Sequence, residues 1–367
     1  MVRNRMHNVQ GLVGLLLVLA GACFSLPVSA CTGITLFTKE GAPVFARTIE
    51  WGGSNLNSQY VVVPRGYAQQ SYVPGAQTGG LAFTAKYGYV GLAVEQKEFI
   101  AEGLNEGGLS AGLFYFPGYG QYEAYDSSLR SSTIADLQLV NWMLASFATI
   151  DEVKKAVEQV HIVTIDPRAS TAHWRIADHT GRQVVLEIID GKPRFYENEL
   201  GVLTNSPGFE WQVTNLNNYI NLYAGAAQSR KVGKVELAAF GAGSGLLGIP
   251  GDVTPPSRFV RAFFYQSTAP KLSGTQATVF QCFQLLNNFD IPIGIEFAEG
   301  ETVPDLPSAT QWTSVTDPTN RIIYYRTMYN STIRSIDLNT IAFDRVAYQA
   351  VPLDAVKAQR VEKIKVR

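Results

Sequence analysis

The chain has 367 residues, 46% hydrophobic and 11% aromatic, enough for a substantial core, which excludes wholesale disorder. Its net charge is −1, and loss of Arg3 and Arg5 with a leader would leave 28 basic against 31 acidic residues, or −3. That balance argues against nucleic acid or an anionic membrane surface as a partner. After residue 30 no apolar run approaches the ~18–20 residues of a membrane-spanning helix.

Residues 1–30 have the three-part pattern of a secretory signal peptide. Arg3 and Arg5 form the basic start, residues 11–26 the apolar centre, and Val28-Ser29-Ala30 the small-residue cleavage site. Cutting after Ala30 leaves a mature chain of 337 residues that begins with Cys31, periplasmic or secreted and free of the membrane. Cys31 then carries a thiol and a free α-amine on one residue. A thiolate attacks carbonyl carbon, and an α-amine with a pKa near ~8 accepts its proton without a histidine. The pattern therefore points to an N-terminal nucleophile. Three other readings fit the same residues: an inert buried cysteine, half of a disulfide with Cys282, or a lipidated anchor at a loose lipobox. Cys23 leaves with the leader, and the two remaining cysteines are too few for a disulfide framework. Cys282 lies in the apolar helical segment 279–286, where a packed thiol is expected.

Downstream, 31–38 and 43–48 predict two strands around Lys39-Glu40-Gly41-Ala42, apolar on both faces. Further strands are expected at 60–63, 81–85 and 88–94, with a surface loop at 68–80. Residues 102–109 form a glycine-dense turn into an apolar strand at 110–116. Helical spacing covers 134–148, and Thr149 with Glu152 makes a capping box for a second helix through Val160. Residues 171–205 alternate strand and turn, delivering Leu203-Thr204-Asn205-Ser206-Pro207. Helices are expected at 257–264 and 277–288, and strands at 311–316, 321–328 and 332–337 close the chain as a meander. No linker or repeat divides residues 31–367, which predicts a single domain of layered α+β architecture.

The ordered motifs resemble a known family. Cys31-Thr32-Gly33, Phe45-Ala46-Arg47-Thr48-Ile49-Glu50 and Gly103-Leu104-Asn105-Glu106-Gly107-Gly108-Leu109 are similar to the choloylglycine hydrolases and penicillin V acylases. So are Leu203 to Pro207 with Trp211 and Asn215-Leu216-Asn217-Asn218-Tyr219, then Pro256-Ser257-Arg258-Phe259 and the stretch from Trp312 to Asn320. The resemblance implies an N-terminal nucleophile (Ntn) hydrolase, a four-layer αββα sandwich that cleaves linear amide bonds after Cys31 is exposed. It implies that Cys31 is the nucleophile, Arg47 the cation beside the thiol, and Asn205 with the Tyr115 backbone N–H the oxyanion donors. Arg258 matches a second active-site arginine. Glu50 stands where the family usually has aspartate, and would orient the α-amine.

Read alone, these residues also have ordinary roles: Arg47 a surface arginine at a strand end, Asn205 an Asx-turn, Glu50 a solvated acid and Arg258 a first-turn helix residue. Trp51 and Phe114 are candidates for an apolar acyl pocket. His161, His173 and His179 match no motif and no metal spacing, so neither metal nor cofactor is expected. The implied substrate is a small amide: a conjugated bile salt, penicillin V or an acyl homoserine lactone, with Tyr115 leaning toward penicillin V. The resemblance also implies a homo-oligomer, tetramers being frequent. A non-catalytic lipoprotein anchored at Cys31, or a member silenced by Glu50, are the competing readings.

Overall fold

The computed structural model describes residues 29–166 and 170–366. The expected signal segment, apart from its last two residues, lies outside the described residues.

Two antiparallel sheets pack face to face. The first has the strand order β1 (Ser29–Phe37), β2 (Pro43–Trp51), β10 (Thr310–Asp317), β11 (Ile322–Thr327) and β12 (Asn330–Asp337). The second has the order β9 (Lys192–Glu197), β8 (Gln183–Ile189), β7 (Ala172–Ala177), β6 (Ser110–Tyr115), β5 (Ile100–Asn105), β4 (Tyr89–Ala93), β3 (Gln59–Val63) and β13 (Gln349–Pro352). Helices α4 (Pro255–Thr268) and α5 (Thr275–Leu286) cover the outer face of the first sheet, and α1 (Leu139–Ser146) covers that of the second, beside α2 (Ile150–Val157). The result is the expected four-layer αββα sandwich.

Residues 43–50 of β2 are all buried, because one face meets α5 and the other meets the second sheet. That is why β1 and β2 show continuous apolar runs instead of alternation. The turn between them places Gly41 at φ +88°, a backbone region that disfavours side chains. Ile34, Ala46, Leu92, Leu104, Phe114 and Val185 share the core between the sheets. A second core, with Val61, Tyr89, Val140, Met143 and Leu144, lies between the second sheet and α1.

Several expectations are corrected. Glu102 to Asn105 belong to β5, and the turn begins only at Glu106. Gly103 is there for close packing: a Cβ would stand 2.5 Å from Leu144 Cδ1. The helix expected from 134 starts at Leu139, because Thr133–Ala135 pairs as a short strand with His161–Val163. Part of the expected loop 68–80 is a strand, Ala68–Gln70, paired with Ala82–Thr84. Helix α4 extends to both sides of its expected span, with Pro255 and Pro256 starting it where a missing N–H costs nothing. The capping box of α2 forms as expected, with Thr149 and Glu152 satisfying each other's backbone N–H. Elements with no counterpart in the sequence reading include β13, the helix Phe209–Asn215, and a hairpin of Arg230–Val232 with Val235–Leu237 whose six residues are all exposed. Cys31 and Cys282 are both free thiols, which removes the disulfide reading. Among the described residues no helix is long and apolar enough to cross a membrane.

Candidate active site

Cys31 lies near the start of β1, opposite Ile49, with Gly33 opposite Arg47. The Arg47 side chain runs back along β2 and donates from Nη2 to Cys31 Sγ at 2.8 Å. Its other donors are taken: Nη1 reaches the carbonyls of Ala101 at 2.9 Å and Leu113 at 2.6 Å, and Nε reaches that of Thr48. Beneath it the Phe114 ring lies 4.1 Å from the guanidinium carbon, a contact of about 2 kcal/mol when desolvated. A buried cation is costly unless its donors are satisfied. Here each of the three nitrogens has a partner, and Nη2, the one without a backbone carbonyl, is aimed at sulfur.

Burial pushes the Cys31 thiol above its ordinary pKa. Arg47 opposes this most, Glu50 adds to it, and the Tyr115 backbone N–H and Arg258 pull it down. In the described chain the Cys31 nitrogen is still an amide joined to Ala30.

Asn205 arrives on a loop pinned beside β1 by reciprocal backbone bonds between Gly33 and Leu203, at 2.7 and 3.1 Å. Its Oδ1 accepts from the Cys31 N–H at 2.8 Å and from Arg258 Nη2 at 2.7 Å. Two donors on one atom fix the amide orientation, so Nδ2 donates, reaching the Tyr115 carbonyl at 2.7 Å. Arg258, from the first turn of α4, also donates from Nη1 to the Cys31 carbonyl at 2.5 Å and to Thr32 Oγ1 at 2.8 Å. It clamps the backbone on which the thiol sits.

Glu50 pairs across the strands with Ala30 and is fully buried. Its Oε1 lies 3.5 Å from the Thr310 hydroxyl, and its Oε2 has no hydrogen-bond partner among the described residues. Burial pushes its pKa up to about 8, against the pull of Arg258, the Thr48 hydroxyl and Arg47. The solvated-acid reading of Glu50 is therefore excluded, as is the surface reading of Arg47.

Trp51, half-buried at the end of β2, donates its indole N–H to Ser54 Oγ at 3.0 Å. Phe114 does not line an open pocket. It is wholly buried between the sheets, under Arg47 and against Gly33, where a Cβ would stand 3.0 Å from its ring. Its contribution is a platform for the guanidinium.

Sequence reading passed over the support behind the loop. His173 is wholly buried, with Nδ1 3.1 Å from Glu187 Oε1 and Nε2 3.0 Å from the Thr204 carbonyl. Its ring stacks on Phe116 at 4.4 Å. Glu187 also accepts the Phe209 N–H at 2.8 Å, tying the loop to α3 (Phe209–Asn215). The signal available in sequence was a histidine and a glutamate, each on a strand next to the loop.

A thiol against a cation, an amide side chain and a backbone N–H beside it, and a buried carboxylate on the paired strand are parts that acyl transfer can use. Among the described residues no group of three or more His, Cys, Asp or Glu side chains has the arrangement to hold a metal ion.

Comparison with known proteins agrees with this geometry. The profile of the linear amide C–N hydrolases, choloylglycine hydrolase family, matches residues 31–348. A bile salt hydrolase/transferase of Clostridium perfringens is 34% identical over 315 residues, spanning 84% of this chain and 92% of the relative. The crystal structure of a variant of the conjugated bile acid hydrolase from Clostridium perfringens superposes with TM-score 0.79 at 31% identity, covering 91% of this chain and 100% of that one. Penicillin V acylase from Agrobacterium tumefaciens shares the fold, with TM-score 0.70 at 24% identity over 89% of this chain and 92% of its own. The chain belongs to the choloylglycine hydrolase family and is a linear amide C–N hydrolase.

Proposed function

We propose that the chain is exported, cut after Ala30, and then hydrolyses a small N-acyl amide through Cys31. The observation that carries this reading is the 2.8 Å contact between Arg47 Nη2 and Cys31 Sγ, made on the residue whose nitrogen Asn205 holds. In the uncut chain that nitrogen is an amide, with no basic lone pair to take the thiol proton. Cleavage turns it into an amine, and activity begins there.

The thiol then gives its proton to the α-amine, and the thiolate, favoured by Arg47, attacks the amide carbonyl. The Asn205 amide and the Tyr115 N–H hold the oxyanion. The carbon–nitrogen bond breaks as the α-ammonium protonates the leaving amine, giving an acyl-thioester. Water, deprotonated by the α-amine, attacks the thioester, and the carbon–sulfur bond breaks to release the acid and restore the thiol. Glu50 orients the amine, its unpartnered oxygen being the acceptor that a new ammonium requires. Arg258 keeps the nucleophile's backbone in place.

The substrate is a conjugated bile salt or penicillin V, with an acyl homoserine lactone the next candidate, and Trp51 is offered to its acyl group. The Clostridium perfringens relative, whose name states bile salt hydrolase/transferase, supports the first of these. The mature enzyme is periplasmic or secreted. It assembles as a homo-oligomer, a reading supported by the exposed Val232, Val235, Leu237 and Phe240 on and beside the projecting hairpin.

The test is hydrolysis of glycocholate, taurocholate, penicillin V and a long-chain acyl homoserine lactone by the chain starting at Cys31, beside Cys31→Ala. Turnover lost in the variant supports the reading and names the substrate class. Silence on all four with a free Cys31 refutes this substrate range. An intact mass showing acyl chains on Cys31 would favour the lipoprotein reading instead, because a blocked amine cannot act as base.

A further inference from the structure

Behind the thiol lies a buried carboxylate that takes no part in the steps above. Glu102 on β5 sits between two guanidiniums, with Oε2 3.7 Å from Arg47 Nη1 and Oε1 3.4 Å from Arg175 Nη2. None of the three side chains is more than 2% exposed. Arg175 lies on β7, and β6 runs between it and Glu102. Both residues pair with the same position on β6, Gly112. A Cβ at 112 would stand 2.2 Å from Glu102 Oε2, so the side chains meet across the strand only because this position is glycine. Gly33 clears the same space from the other sheet, since a Cβ there would stand 3.1 Å from Arg175 Nη1. Arg175 is further held by the Ala46 carbonyl at 3.2 Å, and Glu102 by the Ser110 hydroxyl at 3.3 Å.

The charges decide what this arrangement does. A lone Glu102 beside Arg47 would form a neutral pair, and the thiolate would gain little from an arginine already compensated. Adding Arg175 leaves the cluster with one net positive charge on the side that faces sulfur. In a buried setting such a difference is screened far less than at the surface. We infer that Arg175 is a positioning residue of the active site, which takes up the charge of Glu102 and so leaves that of Arg47 available to the Cys31 thiolate. This rests on the reading of Cys31 as nucleophile.

The other groups facing Cys31 do not substitute for it. Glu50 on β2 disfavours the thiolate, while Arg258 on α4 and the Tyr115 N–H on β6 favour it. His173 on β7 is paired with Glu187 on β8, beyond Phe114. Cys282 on α5 is held as a neutral thiol by burial. None of these contacts Glu102.

The experiment follows the rate of Cys31 alkylation by iodoacetamide against pH in the chain beginning at Cys31, read by intact mass, together with the pH profile of hydrolysis. Arg175→Met is expected to raise the midpoint by about one unit, slowing alkylation at pH 6 roughly tenfold with the high-pH limit unchanged. Glu102→Gln is expected to move the midpoint the other way. The double variant restores one net positive charge, and with it the wild-type midpoint. A purely structural role for Arg175 would lower yield or stability without this reciprocal pattern. An unmoved midpoint in Arg175→Met, or a double variant as displaced as Arg175→Met alone, overturns the inference. Should Arg175→Met fail to fold, an unmoved midpoint in Glu102→Gln overturns it equally. Activity surviving in Cys31→Ala would instead refute the nucleophile reading, while the alkylation midpoints still report on Arg175.

Discussion

Cys31 and Cys282 are two free thiols in one hydrophobic cluster, and both are almost wholly buried. Cys282 sits on α5 among apolar side chains, and burial pushes its thiol far up against the pull of Arg175 alone. Cys31 feels the same desolvation, but Arg47, the Tyr115 N–H and Arg258 all pull the other way. Burial alone makes a cysteine inert. What separates the nucleophile from the packing residue is a pair of hydrogen-bonded guanidiniums, Arg47 from β2 and Arg258 from α4, together with an α-nitrogen that cleavage can free.

The largest effect is expected from exchanging the two thiols in turn. Cys31→Ala should abolish hydrolysis, by more than ~10³-fold. Cys282→Ala should leave the rate within about threefold and cost about 1 kcal/mol of stability, as for a small buried side chain. Hydrolysis assays and urea midpoints on the same two proteins separate these outcomes.

Arg47→Met removes the cation that distinguishes the two sites. It should lower kcat/KM by ~10²–10³-fold and move the acidic limb of the pH profile upward, since the thiol loses its main opposing charge. It also leaves Glu102 facing Arg175 alone and the carbonyls of Ala101 and Leu113 without their donor, so a stability loss of about 3 kcal/mol accompanies it.

Asn205→Ala should cost about 3 kcal/mol of transition-state stabilisation, seen mainly in kcat. Because Oδ1 also receives Arg258, the variant leaves a buried guanidinium donor unpaired and should melt at lower temperature.

The remaining effect concerns the pH dependence of stability through Glu50 in the chain that still carries Ala30. A carboxyl whose folded-state pKa is raised from its ordinary 4.5 to about 8 carries no penalty below the lower value and its full penalty above the higher one. Stability should therefore fall as pH rises through that window. Wild-type chain should lose stability relative to Glu50→Gln between pH 5 and pH 8 in urea titrations. Parallel behaviour of the two would show that Glu50 ionises normally in the fold.

Much of the fold was legible because apolar runs and turn residues are local signals: the β1–β2 hairpin, the capping box of α2 and the closing meander are all written within a few residues. Gly103 misled because glycine looks alike whether it makes a turn or lets Leu144 approach a strand. Phe114 misled because its place next to Tyr115 says nothing of which face of β6 it occupies or what lies over it. Apart from its family motif, Arg258 reads as an ordinary first-turn helix residue; its partners Cys31 and Asn205 are 227 and 53 residues away. The same holds for Glu102 and Arg175, 73 residues apart, whose contact is visible only once Gly112 is known to lie between them. Motif order located the site, but which charges meet there is a property of the two sheets.

The decisive measurement is capture of the acyl-enzyme. The chain beginning at Cys31 is mixed with a substrate it turns over, quenched in acid within the first turnover, and its N-terminal peptide is weighed. The mechanism predicts a peptide heavier by the acyl group, lost on treatment with hydroxylamine and never seen in Cys31→Ala. Continued turnover with no acyl group on Cys31, or with the group on another residue, would contradict it.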